Sequence, residues 1–147
     1  MKIIKRLCRS VPVLTYHSLN VLKNSYQEND HLAFESDLRT IDRLGLKVIP
    51  LSHILDWYED KIPFKEIRGG VAITLDDGSW LDFHNIVHPT CGSQPSMFNL
   101  LEAFKDSLAA SRQPTPHVSS FVISSPEARD ELDRKNLLGN GWWGDDW

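Results

Sequence analysis

Two adjacent aspartates, Asp76 and Asp77, directly follow an apolar run and precede a glycine in the segment VAITLDDGSW. Neighbouring carboxylates repel each other, and a divalent cation nearby would relieve that repulsion and keep both ionised at neutral pH. Because successive side chains of an extended backbone point to opposite sides, one carboxylate can hold a metal while the other accepts a proton. Gly78 suits a turn with positive φ or the close approach of a ligand. The pair indicates metal-assisted acid–base chemistry, and a simple turn with a helix cap is the open alternative.

Histidines are the other residues that suit such chemistry. His17 directly follows the apolar run VPVLTY, so it lies on the same sheet edge as the aspartates if the two strands are parallel. His84 and His88, in HNIVH, have the i, i+4 spacing of zinc ligands on a helix, but Pro89 follows at once and argues against a helix there. Three further histidines show no constellation and are interpreted as surface or capping residues: His31, His53 and His117.

The elements that must position these residues alternate between short apolar runs and amphipathic stretches. Four strands are predicted, at 11–16, 46–51, 71–75 and 117–123. Helices are predicted to begin at the capping residues Asp30, Ser52, Ser96 and Ser125, with Gly45 and Gly139 ending the first and the last. Residues 84–95 show no period and predict a loop. This alternation favours an α/β fold with parallel strands, as a single domain over residues 1–147.

Composition excludes some classes of function. The net charge of −4 argues against nucleic-acid binding, which needs a surplus of Lys and Arg on one face. No apolar stretch is long enough for a signal peptide or a membrane span, so we expect a cytoplasmic chain. Cys8 and Cys91 lie far apart and outside any metal-binding spacing, which predicts idle or buried thiols.

At VPVLTYHSL and VAITLDDGSWLDF the chain resembles the polysaccharide deacetylases, the NodB-type domain of carbohydrate esterase family four. The family's first strand often ends in Y-H and its first catalytic motif reads T-F-D-D-G. The matching residues are Pro12, Val13, Leu14, Tyr16 and His17, then Thr74, Leu75, Asp76, Asp77 and Gly78, with Leu75 in place of the usual Phe. HVSSFVI is similar to the family's next strand. The resemblance implies a partial (β/α) barrel of about four β/α units.

By this resemblance, Asp76 is the catalytic base and Asp77 a ligand of a divalent metal, usually zinc. His17, Tyr16 and Gly78 would form the substrate-binding edge of the site. The implied reaction is hydrolysis of the acetamide C–N bond of an N-acetylated polysaccharide or related carbohydrate, by a water whose pKa the metal lowers. Members of the family also act outside the cell or in its envelope.

The later family motifs, H-S/T-x-x-H, an arginine-containing motif and a final histidine, do not follow HVSSFVI in this sequence. We therefore expect a truncated domain that stops about halfway round the barrel, with impaired or no activity. The fourth strand would then be an open apolar edge, which predicts marginal stability or aggregation.

Two other functions are compatible with the sequence. One is a non-catalytic carbohydrate-binding or decayed fragment, in which Trp142, Trp143 and Trp147 stack on sugar rings. The other is a metal-dependent hydrolase that uses the same aspartate pair on a different substrate, since a fold does not determine its chemistry. The sequence indicates no oligomeric state.

Overall fold

Strands and helices alternate along the chain. A computed structural model describes residues 9–107, 112–114 and 116–135, except for the side chain of Asp133. The strands are β1 (Val13–Tyr16), β2 (Lys47–Val48), β3 (Gly70–Asp77), β4 (Ile86–His88), β5 (Gly92–Gln94) and β6 (Ser119–Val122). The helices are α1 (Asp30–Arg43), α2 (Leu51–Tyr58), α3 (Met97–Asp106) and α4 (Pro126–Arg134), with 3₁₀ turns at Phe64–Glu66 and Trp80–Asp82.

Strand β3 is the centre of the main sheet and pairs in parallel with β1, β2 and β6. The amide of Ala72 donates to the carbonyl of Pro12, on the β1 side, whereas the carbonyls of Val71 and Asp77 accept from the residues just after β2 and β6. Adjacent residues of a strand direct their backbone groups to opposite edges. Strands β2 and β6 therefore share one edge of β3, with β2 at its start and β6 at its end. The parallel α/β class is confirmed, and the barrel stays a prediction.

Helices α1 and α3 pack against the sheet and supply most of the core. Phe34, Leu38 and Ile41 of α1 recur at helical spacing and are buried, whereas Leu44, at the end of the same pattern, is exposed. Residues 71–75 of β3 are buried without interruption, as expected for a parallel strand covered on both faces. Burying each large apolar side chain stabilises the fold by about 1.5–3 kcal/mol. This core reaches Leu75, directly before the aspartates at the carboxyl end of β3.

Two helix starts differ from the prediction. Asn29, not Asp30, caps α1, and its side chain accepts from two amides of the first turn. Asp30 instead accepts hydrogen bonds from the amide of His17 and the side chain of Asn20, because it is the first helical residue and faces the loop after β1. Helix α2 begins at Leu51 behind Pro50 and has no side-chain cap, so Ser52 does not cap it. The fixed φ of a proline suits the start of a helix without a side-chain acceptor.

Other predicted boundaries are partly met. Gly45 ends α1 with φ +70, Ser96 caps α3 through the amide of Asn99, and Ser125 accepts from the amide of Ala128 at the start of α4. The strands predicted at 11–16, 46–51 and 117–123 are shorter than expected. Pro12 and Pro50 lie within the first two of these runs, and proline cannot donate to a strand ladder. Gly139, Cys8 and the tryptophans at 142, 143 and 147 lie outside the described residues.

The segment 84–95, predicted as a loop, contains an antiparallel hairpin. Strands β4 and β5 pair with Ile86 opposite Gln94 and His88 opposite Gly92, which has φ +76. Strands of three residues are too short to show an alternating pattern, so the sequence did not reveal them. Within the described residues, no helix is both long and apolar enough to cross a bilayer.

Candidate active site

The register of the sheet brings His17 and Asp76 together. Tyr16 pairs with Leu75 at the end of the parallel β1–β3 ladder, so the next residue of each strand emerges at the same edge. His17 Nε2 lies 4.0 Å from Asp76 Oδ2, and the two side chains are 50% and 38% exposed. This distance exceeds a hydrogen bond, and an ion pair so open to water is weak. Both groups are thus available to a ligand at the sheet edge.

Asp77 has an unusual backbone conformation. Its φ is +76, and Asp60 is the only other non-glycine residue with positive φ in the described chain. Aspartate enters this left-handed region more readily than most residues, yet such a conformation still costs on the order of 1–3 kcal/mol. The strain lies at the point where the chain turns away from β3, directly after Asp76. The left-handed conformation therefore falls between Asp76 and the turn at Gly78.

Position 78 requires a glycine, both because its backbone is left-handed and because a side chain has no room there. Its φ is +67, and a Cβ atom there would lie 2.8 Å from both γ carbons of Val122 and 2.9 Å from its Cα. Val122 belongs to β6, so the turn after the aspartates is pressed against that strand. The turn with positive φ agrees with the sequence-based expectation, and the close approach is made by Val122.

Tyr16 lies at the strand end but faces the core. Its ring is buried and packs edge-on against Phe34, with the ring centroids 5.3 Å apart. Its hydroxyl donates to Asp37 Oδ2 at 2.7 Å. Burial raises the pKa of the Tyr16 hydroxyl, and the hydrogen bond to Asp37 raises it further. Tyr16 therefore supports the loop that carries His17 and presents no surface to a substrate.

A buried polar layer beneath the aspartates was not predicted from the sequence. Ser18 Oγ and Ser79 Oγ are hydrogen-bonded at 2.7 Å, which links the residue after His17 to the turn after Gly78. Ser79 also accepts from the amide of Leu81 and so caps the 3₁₀ turn. The serines follow strand ends in both segments, which is the only sequence signal for this contact.

Asp82 is the acidic member of this layer. The residue is 2% exposed, and its Oδ2 accepts from the Ser120 hydroxyl at 3.2 Å. Its other oxygen, Oδ1, is buried and has no hydrogen-bond partner within the described part of the chain. Burial raises the pKa of the Asp82 carboxyl, while the hydroxyls of Ser18 and Ser120 oppose this shift. The sequence did not predict this buried, incompletely paired carboxylate near Asp77, because only tertiary contacts bury it.

His31, interpreted from the sequence as a surface or capping residue, is buried. Its Nδ1 contacts the carbonyl oxygen of Pro95 at 2.7 Å, and its Nε2 contacts that of Ser18 at 2.8 Å. The imidazole therefore bridges the loop after β1 and the segment before α3. The surface interpretation is wrong because His31 lies in the first turn of α1, whose inner side faces both loops.

His84 and His88 are engaged separately. The ring of His84 stacks on Trp80, with centroids 3.6 Å apart and planes 17° apart. His88 is buried in β4, and its Nδ1 accepts from the amides of Thr90 and Cys91. The sequence spacing of HNIVH thus does not produce a helical pair of imidazoles. Cys91 is a buried free thiol, as expected for one of the two cysteines.

The part of the chain that the structure describes holds no cluster of three or more His, Cys, Asp or Glu side chains able to bind a metal ion. Asp77 can supply one carboxylate ligand, and Asp76, which directly precedes it in β3, lies 4.0 Å from the imidazole of His17. A zinc site normally has three or four protein ligands. The described residues therefore fit part of a metal site.

No family model matches the chain, and no significantly similar curated protein or solved structure was found. The resemblance to polysaccharide deacetylases thus depends on the segments VPVLTYHSL, VAITLDDGSWLDF and HVSSFVI alone.

Proposed function

We propose that the chain is part of a metal-dependent deacetylase domain that acts on an N-acetylated polysaccharide or related carbohydrate. The observation that carries the proposal is the 4.0 Å approach of His17 to Asp76 at the carboxyl ends of two neighbouring parallel strands. Active sites of β/α folds lie at this edge. The strained Asp77 and the required Gly78 support the same position, since backbone strain concentrates at functional sites.

The proposed roles follow from position and exposure. Asp76 is the candidate general base, because it is partly exposed and has an imidazole at its side. Asp77 is the candidate metal ligand. A bound divalent metal, zinc by resemblance, would lower the pKa of a coordinated water and polarise the acetamide carbonyl. Asp76 would then take up the proton of the attacking water, and His17 lies beside it at the same sheet edge.

The described residues supply only part of the metal site, and this limits the activity we expect. Further ligands must come from outside them for a complete site to form. We therefore expect the chain to bind a divalent metal weakly through Asp77 and to release acetate slowly or not at all. Barrel closure, zinc as the metal and the identity of the sugar are parts of the same proposal.

Metal binding tests the proposal without depending on catalysis. We expect Zn²⁺ titrated into the metal-free chain to bind, as measured by calorimetry, and Asp77→Ala to weaken that binding about tenfold or more, equal to about 1.4 kcal/mol. Asp60→Ala is the matched control, because Asp60 is the other described aspartate with positive φ. Equal zinc affinity in the wild type and Asp77→Ala would rule out the metal role of Asp77.

Acetate release tests the reaction itself. The chain is incubated with tri-N-acetylchitotriose and Zn²⁺, and acetate is measured with and without EDTA. Any activity should disappear with EDTA and fall at least a hundredfold in Asp76→Asn, since general-base catalysis contributes about 10²–10⁴-fold. Activity that survives both changes would refute the proposed mechanism.

Non-catalytic carbohydrate binding is a second candidate function. A specific observation favours it: Trp80, three residues after Asp77, has an exposed ring stacked on His84. Flat aromatic surfaces of this kind bind the apolar faces of sugars. Binding of tri-N-acetylchitotriose without acetate release, in the presence of Zn²⁺, would favour this second function.

A further inference from the structure

The Trp80 indole is exposed although one of its faces is covered. The His84 ring lies parallel to it at 3.6 Å, which is van der Waals contact between flat rings. Trp80 nevertheless retains 45% of its surface area exposed. The exposed area therefore lies outside the contact with His84. Part of the apolar indole is thus open to solvent at this position.

The backbone holds this surface in place. Trp80 begins the 3₁₀ turn that Ser79 caps, and the carbonyl of Trp80 accepts from the amide of His84 at 3.0 Å. Because the rings are linked through one short turn and stack on each other, the indole loses little further freedom when a ligand binds. Rigid aromatic groups of this kind lower the entropic cost of recognition.

The same contacts place the indole at the edge of the candidate active site. Ser79, directly before Trp80, is hydrogen-bonded at 2.7 Å to Ser18, directly after His17. His17 in turn lies 4.0 Å from Asp76. The exposed indole, the imidazole of His17 and the carboxylate of Asp76 thus belong to one group of strand-end turns. A ligand bound on the indole would lie next to the turn that follows the aspartates.

A purely structural role explains this arrangement poorly. An indole stabilises a fold mainly by burying area, and Trp80 leaves nearly half of its area in water. His84, its stacking partner, is itself exposed and does not connect Trp80 to the core. Tryptophan is enriched at binding surfaces, where part of its ring contacts a partner and part stays wet.

We propose that Trp80, supported by His84, is a subsite that stacks against the apolar C–H face of a pyranose ring. The ligand class is a hexosamine-containing oligosaccharide, whose equatorial hydroxyl and acetamide groups point outward and leave the axial C–H face free for the indole. The subsite would hold a sugar adjacent to the residue at Asp76. The assignment of the sugar class rests on the proposed function, whereas stacking itself needs neither metal nor catalysis.

Binding of tri-N-acetylchitotriose to the chain in EDTA tests the subsite. We expect Trp80→Ala to weaken binding at least tenfold, as measured by calorimetry or by titration of sugar resonances in NMR. Trp80→Phe, which keeps a flat ring, should lose no more than about threefold. Tyr58→Ala is the matched control and should not change the affinity, because this exposed aromatic ends α2, in the segment that leads to the amino end of β3.

Several outcomes would overturn the proposal. It fails if the wild-type chain does not bind the sugar at millimolar concentration, or if Trp80→Ala binds as tightly as the wild type. Circular dichroism and the thermal midpoint establish whether each variant is folded. Should Trp80→Ala not fold, His84→Ala serves instead. Removing the support of the indole should then weaken binding severalfold, and an unchanged affinity would refute the proposal.

The subsite and the proposed reaction can fail separately. Trp80-dependent sugar binding without zinc-dependent acetate release would leave the subsite intact and refute deacetylation. Acetate release that does not change in Trp80→Ala, measured at sugar concentrations well below saturation, would support deacetylation and refute the subsite.

Discussion

The hydroxyls of Ser18 and Ser79 are hydrogen-bonded at 2.7 Å in a buried position. The two serines are 61 positions apart in the sequence, and each follows the carboxyl end of one of two paired strands. Their contact joins the loop of His17 to the turn that follows the aspartate pair. The geometry of the candidate site therefore depends on a pair of uncharged residues that do no chemistry.

The first prediction concerns this link. Ser79→Ala should lower the free energy of unfolding by about 1–3 kcal/mol, because it removes a buried hydrogen bond of the Ser18 hydroxyl and leaves the amide of Leu81 without its acceptor. Urea denaturation measures the change, and Ser36→Ala on the exposed side of α1 is the control. A loss no greater than that of Ser36→Ala would show that the link contributes nothing.

The second prediction separates conformation from packing at Gly78. Gly45 and Gly78 have nearly equal φ values, +70 and +67, but a Cβ at Gly45 meets nothing within 4 Å, whereas one at Gly78 meets the backbone of Val122. Gly45→Ala should therefore cost about 1–2 kcal/mol for the left-handed conformation alone. Gly78→Ala should cost at least about 1 kcal/mol more, for overpacking against β6. Equal losses in thermal or urea unfolding would contradict the packing seen at Val122.

The third prediction concerns the pH dependence of stability. Burial raises the pKa of Asp82 above its ordinary value of 3.8, so the folded state binds this proton more tightly than the unfolded state does. The contribution of Asp82 to the free energy of unfolding must then fall as the pH rises from about 4 through the raised pKa. The variant Asp82→Asn lacks this contribution. The free energy of unfolding of the variant, relative to that of the wild type, should therefore increase over the same pH interval and then level off.

Urea denaturation of both proteins at several pH values between 4 and 7 measures this difference. Asp106→Asn, which removes one negative charge from an exposed position of α3, is the control for net charge. If both variants gain the same stability relative to the wild type, the loss of one charge explains the effect and the burial of Asp82 does not.

The fourth prediction tests the position of Tyr16. Tyr16→Phe removes the hydrogen bond to Asp37 in the core and should cost about 1 kcal/mol. Tyr26→Phe removes the contacts of an exposed hydroxyl with the same carboxylate and should cost only a few tenths of that. Sugar binding should be equal in the two variants, since neither hydroxyl reaches the sheet edge. A loss of sugar binding confined to Tyr16→Phe would instead assign Tyr16 to the substrate-binding edge.

Local patterns in the sequence predicted the main elements well. Phe34, Leu38 and Ile41 predicted α1 because a helix brings every third or fourth residue to one side, and the unbroken apolar run of β3 predicted a parallel strand. The hairpin of β4 and β5 was missed because three-residue strands carry too little pattern. Asp30 was mistaken for a cap because Asn29 and Asp30 are both good caps, and only the path of the preceding loop decides between them.

The sequence by itself determined that strands and helices alternate, and that Asp76, Asp77 and His17 follow strand ends. These are consequences of side-chain periodicity and turn chemistry, which act between residues close together in the chain. The tertiary structure decided which strands are neighbours, and hence that His17 meets Asp76 while His84 stacks on Trp80. It also decided that Tyr16, His31 and Asp82 are buried. Burial and pairing depend on contacts between distant segments, and no local pattern encodes those.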